Sequence, residues 1–410
     1  MSSGARLQTF YGKEATPAGT VAAWKTLRVT GNAIMPKNTL VKSDEITPNR
    51  LSGGSAITAV DVAGDINGEL SYGTFDDFFA AAFFNTWQAL IAAPVQSAAV
   101  TAGTGGTLAA GTYYYKVTAI NATGESIGSN EQSIATTGST SKNTITWATV
   151  SGATSYRIYR GTAAGLENKY FTVGAVLTFD DVGGVGSVGY PPTGKTGDVL
   201  SIGSVPSTLA IAKTYSDVGI YTIAKGCFVS KMVLTVPESD KLTVAFTMAA
   251  LQYLDNTSAP YTVTPTDPTT TAFASSINIG DIKVDGLSLA GEACVTALDL
   301  TLDNNMKVQR CLGQGVNAGN QISGGADVTG SITLAWSVAS YNIWKKMSTR
   351  ATVSIAFPIT FNDGSMYTIE IDKAEVDGDL PDGARTDIVN LKLNFTAVIS
   401  SPTITRTPAP

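Results

Sequence analysis

The sequence predicts an all-β fold with short helices, made of two tandem β-sandwich domains and a third β-sandwich inserted into the first. Alternating strands separated by turn residues run through most of the 410 residues, which include 41 glycines and only 15% charged residues. Such a composition suits sheet layers joined by tight turns. An internal repeat predicts the tandem domains, and a change of sequence character between residues 94 and 196 predicts the insertion.

The internal repeat is seen in two separate segments. The motif D-I-N-G-E-L-S-Y at residues 65–72 resembles D-V-T-G-S-I-T-L at residues 327–334, which lie 262 positions later. Asp217 and the triplet 221–223 match Asp363 and the triplet 367–369, 146 positions later. The difference of 116 positions is the extra length of the first copy, and self-similarity of this kind indicates a duplicated domain.

The first domain is expected to comprise residues 1–93 and 197–256. Alternating apolar residues predict strands at 27–30, 57–72, 221–223, 229–236 and 242–251. A T-x-x-D start at Thr74 predicts that a short helix is capped near that residue. Aromatic residues recur at the helical period, which predicts that Phe75, Phe79 and Phe83 face the domain core.

The inserted segment, residues 94–196, has short strands rich in tyrosine. The patterns Y-K-V-T-A-I-N-A-T-G-E-S at 115–126 and Y-R-I-Y-R-G at 156–161 resemble those of fibronectin type III modules. About 100 residues with regular turn signals suit an immunoglobulin-like or fibronectin type III-like sandwich. Tyr113, Tyr115 and Tyr156 are expected in its core, and a second interpretation gives these tyrosine-rich strands a weak contact with bacterial surface glycans.

The second domain is expected at residues 272–400, after a Thr- and Pro-rich linker at 257–271 and before a loose C-terminal tail at 401–410. Its predicted strands are 298–302, 332–336, 353–361, 367–371 and 391–398. A short helix is expected to place Tyr341 and Trp344 in the core.

The composition argues against an enzyme. The chain has no histidine, which excludes a Ser-His-Asp triad and a histidine-ligated metal. The adjacent carboxylates that remain are Asp44/Glu45, Asp76/Asp77 and Asp180/Asp181. Neighbouring residues of a strand point to opposite faces, and acidic residues are favourable at a helix N-terminus, so these pairs have structural explanations. No cofactor is required.

Charge and cysteine content indicate where the chain is used. The formal net charge is −6 without a basic block, which disfavours tight binding to DNA. Three widely spaced cysteines, Cys227, Cys294 and Cys311, are expected to be buried small hydrophobes in a reducing compartment. Residues 1–6 lack the apolar core of a signal peptide, so synthesis and initial use in the cytoplasm are expected. The low charged fraction indicates self-association.

The second domain carries a family resemblance. Its ordered features are L-T-L-D-N-N at 300–305, a long hairpin, V-T-G-S-I-T at 328–333, an aromatic helix and F-P-I at 357–359. This set resembles the tail tube proteins of long-tailed bacteriophages over residues 280–400. The first domain resembles them more weakly, through residues 27–32 and 65–87.

The resemblance implies that six such domains form a ring and that rings stack into a hollow tail tube for viral DNA. A chain with two domains then implies a trimeric ring with pseudo-sixfold symmetry, and head-to-tail contacts do close into rings. The hairpins 36–56 and 307–325 are expected to join successive rings. Their predicted interface residues are Lys37, Lys42, Asp44, Glu45, Arg50, Lys307, Gln309, Arg310 and Gln314.

The implied partners are other copies of the chain, a tape measure protein inside the tube, and terminator and tip proteins at its ends. DNA passes without specific binding. The expected location is the virion tail, after assembly in the host cytoplasm, with the inserted domain projecting outward. Two other classes stay open: a capsid or tail decoration or tail-terminator protein, and a bacterial surface adhesin, which would be expected to carry a secretion signal or an anchoring motif.

Overall fold

A computed structural model describes residues 7–45, 53–96, 100–121, 124–192, 197–261, 264–268, 273–313, 315–383 and 388–409. The predicted all-β fold with short helices is confirmed: the described residues form many strands and two short α-helices. The chain divides into two compact units. The first unit contains residues 1–86, 200–404 and 408–410, and the second contains residues 87–199 and 405–407.

The elements follow in chain order. Those before residue 90 are β1 Leu7–Lys13, β2 Lys25–Thr26, β3 Gly31–Asn32, β4 Met35–Lys42, β5 Ser55–Glu69, α1 Asp76–Phe83 and β6 Gln88–Ala89. Those up to residue 201 are β7 Thr101–Leu108, β8 Gly111–Asn121, β9 Gly124–Glu125, β10 Gln132–Thr136, β11 Ser141–Thr146, β12 Ser155–Gly161, β13 Lys169–Val173, β14 Thr178–Asp181, β15 Ser187–Val188 and β16 Asp198–Ser201. The next are β17 Leu209–Tyr215, β18 Ile220–Val236, β19 Thr243–Ala250, β20 Gln252–Asn256, a 3-10 turn Ser276–Asn278, β21 Lys283–Val284, β22 Leu287–Ser288 and β23 Val295–Asp303. The last are β24 Lys307–Gln309, β25 Asn320–Ile322, β26 Asp327–Ala335, α2 Val338–Thr349, β27 Val353–Thr360, β28 Met366–Asp377, β29 Asn390–Ala397 and β30 Thr403–Thr407.

The first unit contains one strand-pairing pattern twice. In its first half (residues 7–86 and 200–256), β5 pairs with β19, β19 with β18, and β18 with β17, all antiparallel. In its second half (residues 273–404), β26 pairs with β29, β29 with β28, and β28 with β27 in the same way. The repeated sequence motif lies on β5 and β26, which hold the same place in the two patterns.

A glycine of the repeated motif has the same packing role in both halves. A Cβ on Gly68 would lie 2.3 Å from the ring of Phe75, and one on Gly330 would lie 2.3 Å from the ring of Phe395. Both rings are buried. Because any side chain at either glycine would overlap a core aromatic residue, the motif is explained by close packing of a ring onto the backbone.

Strand β18 belongs to two sheets because it bends at Gly226. Before the bend it pairs with β17 and β20, and after it with β19 and β23. Gly226 has a positive φ of 64°, and a Cβ there would lie 2.8 Å from Leu251. The carboxylate of Glu14 accepts a hydrogen bond from the Gly226 N–H at 3.0 Å. A left-handed conformation of this kind is one that glycine adopts without a steric penalty.

The two halves are joined by a strand pair. Residues 231–236 of β18 pair with residues 298–303 of β23 in an unbroken antiparallel register, Lys231 opposite Asp303 and Val236 opposite Leu298. The sheet therefore continues from β4 at one end, through β5, β19, β18, β23, β26 and β29, to β28 and β27. Backbone hydrogen bonds thus cross from one half to the other as they do within each half.

Helix α1 is enclosed at this junction, and all eight of its residues are buried. The hydroxyl of Tyr367, in the second half, donates to the Asp76 carboxylate and accepts from the Gly73 N–H at 2.8 Å. The Tyr367 ring lies 5.8 Å from Phe79 and 5.0 Å from Tyr72, measured between centroids. Burial raises the pKa of the Tyr367 hydroxyl far above its ordinary value, and the charge of Asp76 adds to the effect.

Two further contacts close the junction. Phe361, also from the second half, packs on Tyr72 at 5.7 Å. The side-chain amide of Asn304 donates to the carbonyl oxygens of Ala82, in α1, and Val229, in β18, at 2.9 Å each. The turn between β27 and β28, together with the end of β23, therefore covers one side of α1.

The other side of α1 is held by an ion cluster within the first half. The Asp77 carboxylate pairs with Lys13 at 2.7 Å and Lys25 at 2.8 Å, and accepts from the Tyr11 hydroxyl at 3.1 Å. Burial by itself would raise the pKa of Asp77, but the two lysines outweigh it and hold that pKa below its ordinary value. The acidic first turn of α1 is as predicted, but the helix begins at Asp76 after Phe75, without a side-chain cap from Thr74.

The second unit consists of two facing sheets. One contains β10, β8, β12, β13 and β15 with β9 beside β8, and the other contains β14, β11 and β7. Tyr115 and Val117 of β8, Tyr156 of β12 and Ile145 of β11 meet in a shared core with Trp147. Tyr115 and Tyr156 lie in the core as predicted, whereas Tyr113 is half-buried against it.

Three predictions of local structure are wrong. Residues 27–30 form no strand, because the Leu27 N–H binds Thr9 and the Thr30 N–H binds Asn67 as isolated contacts rather than a ladder. The C-terminal residues are not a loose tail: Thr403–Thr407 is strand β30, with Ile404 buried. Cys294 and Cys311 are exposed, and only Cys227 is buried as predicted.

We expect Asp77 to make stability depend on pH on the acid side. Its pKa in the folded protein is lowered, so its contribution is complete above about pH 4 and is lost as the pH falls through the folded pKa. Thermal unfolding measured from pH 6 to pH 2.5 should show a steeper acid loss for the wild type than for Asp77→Asn. Asp255→Asn, a change of an exposed carboxylate, should keep the wild-type slope. Equal slopes for all three proteins would contradict the assignment.

Tyr367→Phe should lower the free energy of unfolding by about 1–3 kcal/mol, because it removes a buried hydroxyl that makes two hydrogen bonds. Urea unfolding of the whole chain measures this. The control is Tyr221→Phe, at the matching position of the first half, where the ring is half-buried and a change within about 0.5 kcal/mol is expected. A Tyr367→Phe protein as stable as the control would show that the junction does not depend on these bonds.

Candidate assembly surfaces

The first exposed hairpin is formed by β4 and the start of β5. Met35 pairs with Ala63 and Lys42 with Ser55, and a bulge interrupts the register after Thr39. All eight residues of β4 are exposed, including the apolar Met35, Leu40 and Val41. A strand with an apolar, solvent-exposed edge is normally avoided in a monomeric protein, because it can pair with another chain.

The second exposed hairpin is formed by β24 and β25, with Lys307 opposite Ile322. Its tip carries the exposed Cys311 and the fully exposed Leu312. Val308 and Ile322 are also exposed, so this hairpin, like the first, presents apolar side chains to solvent.

The two hairpins contact each other. The Val60 N–H donates to the Val316 carbonyl at 2.8 Å. Arg310 donates to the same Val316 carbonyl at 2.8 Å and to the Val60 carbonyl at 3.2 Å, and forms an ion pair with Asp61. Arg310 thus fastens the base of one hairpin to the other, and the pair forms one surface, named here the hairpin surface (residues 35–45, 53–62, 307–313 and 315–322).

The structure places most of the predicted interface residues on the hairpin surface. Lys37 and Lys42 are exposed on β4, and Asp44 lies beyond its end with Glu45, whose N–H binds the Ser43 hydroxyl. Lys307 and Gln309 are exposed on β24, with Arg310 following. Arg50 and Gln314 lie outside the described residues.

The second candidate surface surrounds helix α2. In contrast to α1, this helix buries only Ser340 and Ile343. Trp336, just before the helix, forms a partly exposed aromatic row with Tyr341 and Trp344. The ring centroids of Trp336 and Tyr341 lie 6.0 Å apart, and Tyr341 stacks on Trp344 at 5.8 Å. Tyr341, predicted to lie in the core, is 40% exposed because no element of the described chain packs over it. Trp344 is half-buried and donates to the Gly378 carbonyl at 2.8 Å.

Clefts adjoin this helix. One of about 510 Å³ lies between α2 and the β21–β22 hairpin, and another of about 470 Å³ lies between its last turn and residues 375–377. The N-terminus of α2 is capped by the Ser337 hydroxyl, which accepts a hydrogen bond from the Ser340 N–H at 3.2 Å. This cap stabilises the helix although much of its surface is exposed. Val338, in its first turn, is 77% exposed.

The adjacent carboxylates do not form a shared site. Asp181 is buried, where it pairs with Arg160 at 2.7 Å and accepts from the Tyr115 hydroxyl at 2.7 Å. Its neighbour Asp180 is turned to solvent and pairs with Lys142 at 2.8 Å. Burial raises the pKa of Tyr115 well above its ordinary value, and the charge of Asp181 adds to it. These groups therefore hold the two sheets of the second unit in register.

Among the described residues, neither a cluster of metal ligands nor a membrane-spanning helix is found. No three acidic or cysteine side chains there are grouped as metal ligands. Nor does any helix described here have the length and apolar character needed to cross a membrane.

Helix α2 is partly exposed, although its aromatic residues predict burial. The signal that could have shown it is polarity: α2 reads V-A-S-Y-N-I-W-K-K-M-S-T, whereas α1 reads D-D-F-F-A-A-A-F. A helix whose aromatic residues are interspersed with Asn, Ser and Lys is less suited to complete burial than one made of Phe and Ala. The two helices occupy matching places in the two halves but have different surroundings.

Comparison with known proteins identifies the family of the chain. No curated protein matches the chain. A protein-family model described as phage tail tube protein matches residues 4–397, which is nearly the whole chain. The chain therefore belongs to the phage tail tube protein family and is a structural component of the virion tail.

Proposed function

We propose that the chain polymerises into the hollow tail tube through which phage DNA passes into the host. The observation that carries the proposal is the hairpin surface. It presents exposed apolar residues on two strand pairs that are fastened to each other by Arg310, and a soluble monomer has no use for such a surface. Stacked rings bury it against the next ring.

The ring itself contains three chains. The repeated pairing pattern of the first unit supports a duplicated tube domain, with residues 1–93 and 197–256 as one copy and 272–400 as the other. The two copies meet head to tail, through β18 of one and β23 of the other. Heterologous contacts close into a ring when the rotation between neighbouring copies is a whole fraction of a full turn. Because each chain carries two copies, a ring of six copies is a trimer with pseudo-sixfold symmetry.

Passage of DNA requires a wall that does not bind it. The formal net charge of −6 and the lack of a basic block suit transient passage without specific binding. The chain acts as structure and not as an enzyme. Its other partners are a tape measure protein within the tube and tip and terminator proteins at the ends.

The second unit is a decoration of immunoglobulin-like or fibronectin type III-like form, not needed for assembly. It has its own core, around Tyr115 and Ile145. Its connections to the rest of the chain run side by side, since Ala89 pairs with Asp198 and the Leu90 N–H donates to the Gly197 carbonyl at 2.9 Å. Excision of a module whose two ends are paired leaves the remaining backbone connected.

Stacking is tested by placing charge on the hairpin surface. Leu40→Asp and Leu312→Asp should each raise the protein concentration needed for filaments about tenfold or more, because full burial of a leucine contributes about 1.5–3 kcal/mol. Isolated rings should persist. Electron microscopy across a concentration series measures both species. Leu166→Asp, an exposed leucine of the second unit, is the matched control and should form filaments as the wild type does.

Filaments of unchanged abundance in both hairpin variants would contradict stacking through this surface. A wild-type protein that forms closed oligomers but never filaments, even at high concentration and in high salt, would instead favour a decoration or terminator role.

Deletion of residues 94–196, replaced by a short Gly-Ser linker, should leave filament formation and ring size unchanged while removing mass from each subunit. Cryo-electron microscopy of the deleted and full-length proteins compares the two. Loss of all filaments, with the shortened chain still folded by circular dichroism, would refute the view that the second unit is dispensable.

A further inference from the structure

The junction inside the chain has an incomplete counterpart in the second half. In the first half, Tyr367 contacts α1 directly, and Phe361 packs on Tyr72 just before the helix; the two lie at the two ends of the β27–β28 turn. In the second half, α2 and its aromatic row are exposed. Within the described residues, no β-turn covers α2 in the way that the β27–β28 turn covers the α1 region.

A turn that matches the one packed near α1 is present in the first half of the same chain. The β17–β18 turn, residues 215–221, matches the β27–β28 turn, residues 361–367, at the repeat spacing of 146. Tyr215 stands at the position of Phe361, and Tyr221 at that of Tyr367. Phe361 and Tyr367 are buried, 3% and 1% exposed, whereas Tyr215 and Tyr221 are half-buried and Val218 and Ile220 between them are exposed.

Helix α2, which would receive this turn, matches α1 in the same way. At the repeat spacing of 262, Val338 stands at the position of Asp76, and Tyr341 at that of Phe79. Asp76 and Phe79 are the two α1 residues that Tyr367 touches. The corresponding contact would therefore place Tyr221 on Val338 and Tyr341, with an apolar residue where the internal junction has a carboxylate.

The strand part of the junction also differs in the second half, where β28 pairs with β30 in addition to β27 and β29. After its bend, β18 pairs with β19 over residues 228–235, because β23 supports its other edge. The matching part of β28 pairs with β29 over Ala374–Asp377 alone. On the first half, the counterpart of β23 is the segment 28–32, where only β3 forms a ladder with β5 and a cleft of about 300 Å³ adjoins Arg28, Val29 and Thr30.

We propose that the contact between successive chains repeats the junction within the chain: α2 and the end of β28 of one chain receive the turn 215–221 and the segment 28–32 of the next. This inference rests on the proposed function, because it names the surface that closes the ring. The occupant of the α2 surface is a second copy of this chain. The contact is heterologous, with α2 always on one partner and the turn on the other.

The test uses single and paired charge changes in the full-length chain. Val338→Lys and Tyr221→Glu should each lower the association constant of ring formation about 30-fold or more, because a charge buried in an interface without its partner is strongly penalised. The double variant carries both changes, so every contact in its rings pairs a lysine with a glutamate. It should recover most of the lost association.

The controls are Val185→Lys and Tyr190→Glu, which make the same changes at exposed positions of the second unit. Sedimentation and mass photometry measure ring formation, electron microscopy measures filaments, and circular dichroism verifies that each variant is folded. The controls should associate as the wild type does. A Tyr221→Glu chain that loses its fold is replaced by Ile220→Glu, in the same turn but exposed.

The outcomes distinguish the interface proposed here from the proposed tube function. Val338→Lys and a folded turn variant that form rings as readily as the wild type would overturn this interface and leave the tube function standing. Folded single variants that stay monomeric, with no recovery in the double variant, would contradict direct contact between residues 338 and 221. Wild-type rings that depend on this surface but never stack would support the interface and contradict the tube, and a wild type that stays monomeric would contradict both.

Discussion

The architecture of the first unit depends on the strand pair between β18 and β23. It makes one sheet out of two halves, so that the backbone groups at the edge of the first half are satisfied by the second. The bend at Gly226 allows the same strand to close its own sandwich before it reaches this neighbour. Burial of α1 follows from the same geometry, because the pairing brings Tyr367 and Asn304 over the helix.

Within this arrangement, polar groups fix geometry and apolar groups supply most of the favourable burial. Asp77, with its two lysines, holds one side of α1, and Asp76, with Tyr367, holds the other. In the second unit, Asp181 has the same kind of role between Tyr115 and Arg160. The carboxylates of Asp76, Asp77, Asp180 and Asp181 are thus engaged one by one in structural contacts, each with a cation or a hydroxyl.

Much of the fold could be predicted from local patterns. The predictions failed where pairing or burial depends on a segment that is distant in the sequence. Alternation predicted β5, β18 and β26 because one face of each is buried within the chain. It was wrong for residues 27–30, which have an alternating sequence but no strand to complete a ladder. Tyr341 was expected in the core because an aromatic residue suits burial, but no distant segment of the described chain packs over it and it is 40% exposed. Residues such as Val60 and Val316, far apart in sequence, carry no local signal of their hairpin contact.

The covalent link between the halves has a thermodynamic consequence. The β18–β23 contact forms within one molecule, so its effective concentration is fixed by the linker and does not change on dilution. Contacts between chains must offset the entropy that the chains lose when they associate, and the fraction of chains associated falls as the protein is diluted. In the proposed tube, disassembly should therefore release whole chains in which the two halves of the first unit are still paired.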